Sequence, residues 1–98
     1  MNVELLYFEG CPNWQIADQR LRELATERGF ELRHRLVAGP EEAGAAGFRG
    51  SPTILVDGRD PFASDDQHVG FSCRVYQTPV GPAGSPTIEQ LRAVLASA

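Results

Sequence analysis

Residues 7–17 read YFEGCPNWQIA. An apolar run ends at Glu9-Gly10, a cysteine follows, and Pro12 opens a segment with helical spacing. Upstream, Asn2–Phe8 is short and nearly continuously apolar, the pattern of a central strand buried on both faces. Downstream, Trp14, Ala17, Leu21 and Leu24 recur as one buried helical stripe. Pro12 suits the first helical position, where its missing N–H would have been unpaired anyway. Gly29 is placed to end the helix. Cys11 therefore stands at a strand-to-helix junction, where free N–H groups and a partial positive charge stabilise a thiolate. The opposing reading is a buried, inert cysteine that packs as a small apolar residue.

Working outward, Glu31–Val37 alternates, with Leu32, His34 and Leu36 on one face, and reads as a second strand. A strand, helix and strand in this order suggest a parallel, right-handed crossover. Pro40-Glu41-Glu42 has the proline and acids of a helix start, and that helix is short, ending by Gly47. The segment RGSPTILVDG, 49–58, predicts a third strand over Thr53–Asp57 and a turn at Asp57-Gly58. Residues 59–70 are polar and read as a long loop. FSCRVYQT, 71–78, predicts a fourth strand from its Phe, Val and Tyr. Residues 79–84, rich in Gly and Pro, read as a linking loop. Ser85 is expected to cap a last helix with Pro86 first inside it and Ile88, Leu91, Val94 and Leu95 on one face. Ser-Pro-Thr occurs twice. At 51–53 it precedes a β-branched strand, where a proline is tolerable as the first strand residue or as a cis bond in a tight turn.

The expected order is β-α-β-α-β-β-α, an α/β domain over residues 1–98 with a mixed four-stranded sheet. The 98 residues suffice for one compact domain. A net charge of −4 argues against nucleic acid as the main partner. All nine basic side chains counted as Lys or Arg are Arg, which with the many Ala reads as coding bias. No apolar stretch approaches the ~20 residues that span a bilayer, and no signal peptide is visible. The expectation is a cytoplasmic protein with no membrane contact, where two cysteines are more often free or catalytic than a permanent staple.

Two local features resemble the thioredoxin fold, and the likeness covers essentially the whole chain. One is Cys11 between the first strand and first helix. The other is GSPT, 50–53, which is similar to the cis-proline loop that opens the third strand in that family. The resemblance implies that Cys11 and Pro52 lie side by side at one end of the sheet. It also implies that the Ser51 backbone is presented to an extended substrate. The usual Cys-x-x-Cys is replaced by Cys11-Pro12-Asn13-Trp14, so an indole stands where a resolving thiol would be. Monothiol members react through a mixed disulfide that an external thiol resolves. A narrower likeness is to small thioredoxin-like or alkylmercury-lyase-like proteins carrying YF-GCPNW, GSPT-LVDG-DPFA and CR-Y segments. The lyase label would imply two thiolates and an acid, here Cys11, Cys73 and an acid such as Asp60.

Taken together, the expected site has Cys11 as nucleophile, with Pro12, Trp14, Ser51 and Pro52 forming the substrate contacts. Trp14, one helical turn from Cys11, either walls the site or packs as a core aromatic. Cys73 is a possible second thiol, but a hairpin after the third strand would carry it to the far end of the sheet. A disulfide needs Cα atoms within about 7 Å, so packing is expected instead. Only a folded-back 59–70 loop or a shifted register would permit the bond. His34 reads as a tolerated sheet residue. His68 matches no structural zinc spacing, so no metal and no cofactor are expected. The expected function is thiol–disulfide exchange with a protein or low-molecular-weight thiol. The alternatives are a non-catalytic thioredoxin-like binding module, and soft-metal or organomercurial binding by Cys11 and Cys73.

Overall fold

A computed structural model of the chain describes residues 1–63 and 73–97. Strand β1 (Asn2–Tyr7) is followed by helix α1 (Trp14–Arg28), β2 (Glu31–Leu36) and α2 (Pro40–Ala46). Then come β3 (Thr53–Val56), β4 (Tyr76–Thr78), β5 (Gly81–Ala83) and α3 (Ile88–Ser97). The class is mixed α/β. The strands form a three-stranded sheet in the order β2-β1-β3 and a separate β4-β5 pair, so the expected single four-stranded sheet is corrected.

The apolar run of β1 explains its central place. It pairs in parallel with β2, Leu5 opposite His34, and antiparallel with β3, Leu5 opposite Ile54. Successive side chains point to opposite faces. Val3 and Leu5 join Ala17, Leu21 and Leu24 of α1 and Leu91 and Leu95 of α3 in one cluster. Leu6 joins Val37, Ala43 of α2 and Phe48 in another. Fully burying one such Leu side chain stabilises the fold by about 1.5–3 kcal/mol. β2 is an edge with mostly exposed side chains, and Leu36 is half exposed.

Several element boundaries differ from expectation for local reasons. Pro12 lies in a turn, its carbonyl accepting from the Gln15 N–H at 3.1 Å, and α1 begins two residues later. Gly29 and Gly47 end their helices in the left-handed region, each N–H returning to the last turn. The last helix starts at Ile88, because Thr87 rather than Ser85 builds its cap. Thr87 Oγ1 accepts from the Gln90 N–H at 3.1 Å, and Gln90 Oε1 accepts from the Thr87 N–H at 2.9 Å. Ser85 is buried, its hydroxyl donating to the Pro86 carbonyl.

The fourth strand is shorter than expected. Residues 71–72 and His68 lie outside the described residues, and Cys73, Arg74 and Val75 precede β4. The expected linking loop contains β5, paired Tyr76 to Ala83 and Thr78 to Gly81. Thr78 Oγ1 donates to the Gly81 carbonyl at 2.6 Å and closes that hairpin.

Candidate functional site

Because β3 is antiparallel to β1, the start of β3 lies beside the end of β1, with Leu6 opposite Thr53. Ser51 Oγ accepts from the Phe8 N–H at 3.3 Å, which extends the contact toward Cys11. The Ser51-Pro52 peptide is cis. Cys11, Ser51 and Pro52 therefore share one end of the sheet, and all three are buried.

Cys73 joins them, which corrects the expectation that it packs at the far end. It is disulfide-bonded to Cys11, with a Cα–Cα separation of 5.8 Å. A tight turn with an antiparallel Val56–Arg59 bridge does close the far end of β3, but Cys73 does not lie there. After Val56 and the turn at Asp57 and Gly58, both at positive φ, the chain returns to the start of β3. There Cys73 forms a parallel bridge with Ser51, and the Arg74 N–H donates to the Ser51 carbonyl at 3.0 Å.

The return is fixed by a buried ionic cluster. The Arg74 and Asp60 side chains are 2% and 4% exposed and form a forked pair at 2.7 and 3.4 Å. Asp60 Oδ1 also accepts from the Phe62 N–H. The Arg74 guanidinium lies 4.5 Å from the Tyr76 ring centre, and Phe62 meets the same ring edge-on. The Tyr76 hydroxyl donates to the Pro52 carbonyl at 2.6 Å. One network thus links the cis-proline loop to the residue after Cys73.

Burial pushes the Tyr76 hydroxyl well above its ordinary pKa, with the nearby Arg74 charge opposing. The unfolded phenol ionises near pH 10 while the folded one stays neutral, so the Tyr76 contribution is complete below that pH and is lost above it. Tyr76→Phe removes the hydrogen bond to Pro52 and is expected to cost about 1 kcal/mol at pH 7. It should also flatten the stability loss above pH 10, as urea melts at several pH values would show.

Gly50 is the other local requirement. Its φ is +110°, and a Cβ there would lie 2.8 Å from Arg74 Cβ and 3.0 Å from the Arg74 backbone. Gly50→Ala is therefore expected to cost about 2 kcal/mol, from backbone strain and overpacking together. Thermal melts should show the loss, about 4–8 °C for each kcal/mol in a domain of this size.

The remaining expected contacts divide. Pro12 is exposed beside Cys11. Trp14 stacks on Tyr7, with ring centres 4.2 Å apart, and packs against the main core cluster. Ser51 is fully buried and its carbonyl is already taken by Arg74. The chain's own 73–74 segment thus holds the backbone position that the resemblance assigns to a substrate strand. His34 stands apart on β2, its Nε2 against Asp18 of α1.

Asn13 was missed from sequence. Its Nδ2 lies 3.8 Å from Cys11 Sγ as a donor, and a side chain at Gly84 would overlap it. Arg74 was also missed. Its place next to Cys73 was a signal, but nothing local pointed to Asp60.

Among the described residues no group of three metal-ligating side chains converges, and no helix is long and apolar enough to cross a membrane. No protein-family model matches the chain, and no curated protein matches it.

Proposed function

We propose that this chain is a small thioredoxin-like thiol protein whose Cys11–Cys73 pair undergoes thiol–disulfide exchange with a protein or low-molecular-weight thiol. The observation that carries the reading is the position of the pair. It lies at the strand-to-helix junction, against the cis Ser51-Pro52 peptide, with one of its cysteines exposed. The amide of Asn13 beside Cys11 and the nearby start of α1 favour a thiolate when the bond opens. The second cysteine of the pair stands at position 73, distant in sequence, instead of within a Cys-x-x-Cys. Millimolar glutathione should open the bond in the folded protein, and glutathione disulfide should close it again. A bond that stays closed in millimolar thiol under native conditions would identify a structural staple and overturn the reading.

The approach of the two cysteines also favours a second reading, soft-metal binding by the reduced pair. Asp60 argues against carbon–mercury cleavage, since both its oxygens accept hydrogen bonds from Arg74. Phenylmercury bound by the reduced chain with no release of benzene, and binding lost only in the double variant Cys11→Ala with Cys73→Ala, would support capture without cleavage.

A further inference from the structure

We infer that the incoming thiolate attacks Cys73, and that Cys11, despite standing at the helix start, is the leaving group and resolving thiol. This rests on the exchange reading above and assigns roles within it. Thiol–disulfide exchange is an in-line displacement, so the nucleophile must approach the attacked sulfur from the side opposite its partner. Cys11 is 1% exposed and lies in the turn between the end of β1 and the start of α1. Approach to its sulfur from behind would run through the packed interior. Cys73 is exposed, and Val75, two residues on, is 57% exposed. Solvent therefore reaches the outer cysteine of the pair.

The leaving group is also better placed at Cys11. A sulfur that departs as a thiolate leaves faster when its negative charge is stabilised. Cys11 has the Asn13 amide donor at 3.8 Å and precedes the start of α1 by three residues.

A low-molecular-weight thiolate forms a bond to Cys73 Sγ as the Cys73–Cys11 bond breaks, and the electron pair of that bond leaves on Cys11. A second thiolate then attacks the small-molecule sulfur of the mixed disulfide and releases Cys73 as a thiolate. Two electrons pass from two thiols to the protein, and the thiols depart as one disulfide. In the reverse direction Cys11 attacks Cys73 in its mixed disulfide and expels the small thiol. Cys73 remains within reach because the next residue is anchored, through the Arg74 N–H to Ser51 and the guanidinium to Asp60.

The test uses the full chain. Cys11→Ser, which retains Cys73, and Cys73→Ser, which retains Cys11, are reacted with 5,5′-dithiobis(2-nitrobenzoate) after their folding is checked by circular dichroism. Cys73 is expected to react at least tenfold faster than Cys11. Equal rates, or a faster Cys11, would overturn the assignment. The oxidised native protein supplies the second measurement. It is mixed with glutathione, quenched with iodoacetamide within seconds and mapped by mass spectrometry. Glutathione on Cys73 and the alkyl group on Cys11 are expected, and glutathione on Cys11 would overturn the inference. A native disulfide that resists glutathione while Cys73 remains the faster single thiol would sink the exchange reading and leave the accessibility assignment standing.

Discussion

Arg74→Met is expected to destabilise the fold by about 3–5 kcal/mol, one of the two largest single effects available in this chain. The cause is the carboxylate left behind. Asp60 is 4% exposed, and Arg74 supplies its charge partner from two guanidinium nitrogens. Removing one member of a buried pair strands the other in a medium that solvates it poorly. A domain of this size has a net stability of about 5–15 kcal/mol, so the loss consumes a large part of it. Asp60→Asn should cost less, because the amide is neutral and its oxygen, at the Oδ1 position, still accepts from one Arg74 nitrogen and from the Phe62 N–H. The double variant Asp60→Leu with Arg74→Met should recover part of the Arg74→Met loss, since no unpaired charge remains. Urea unfolding of the native chain, Arg74→Met, Asp60→Leu and their double variant closes the cycle. A double variant no more stable than Arg74→Met would assign the loss to packing against Tyr76 rather than to charge.

The same substitution has a consequence at the disulfide. Arg74 follows Cys73 directly, and its ion pair fixes the place to which the chain returns. Loosening it lowers the effective concentration of Cys73 at Cys11, and closure of the bond depends on that concentration. In a fixed glutathione buffer Arg74→Met should therefore hold a larger reduced fraction than the native chain. Thiol alkylation under native conditions reads this directly.

The half of the molecule built from local signals was legible in sequence. β1, α1, β2 and α2 announce themselves by an apolar run, a helical stripe, an alternating segment and Pro-Glu-Glu, and their ends fall within two residues of expectation. Placing Cys11 at the junction followed from this, because a strand end and a helix start bracket it. The pairing of Cys73 was not legible. It depends on where residues 57–73 return, and the β-rich letters of FSCRVYQT suggested a hairpin partner for β3. In the structure Cys73 bridges Ser51 in parallel, and only Tyr76–Thr78 forms β4. The partners that decide this, Asp60 with Arg74 and Tyr76 with Pro52, are separated by 14 and 24 positions. No periodicity records contacts of that kind. The β5 strand was hidden differently, since Gly81-Pro82-Ala83 has turn composition and is a strand only because Tyr76–Thr78 pairs with it.

Opening the Cys11–Cys73 bond is expected to cost the fold about 4 kcal/mol, from the loop-closure entropy of a crosslink spanning 62 positions. The double variant Cys11→Ala with Cys73→Ala should show this loss in urea, together with a further cost for the truncated Cys11 side chain in its buried site. The native chain in a dithiol reductant isolates the crosslink alone, because both sulfurs stay in place. The coupling of crosslink and fold is reciprocal. The fold favours the disulfide over the open dithiol by as much as the disulfide favours the fold. An exchanging pair therefore needs a fold that survives reduction, with the two clusters around β1 sustaining it without the crosslink. The expected result is a cooperative urea transition in reductant, at a lower midpoint than in the oxidised protein. A reduced chain with no cooperative transition at 25 °C would mean that the bond is required for folding. Cys11 and Cys73 would then form a staple, and their place beside Pro52 would be architecture rather than chemistry.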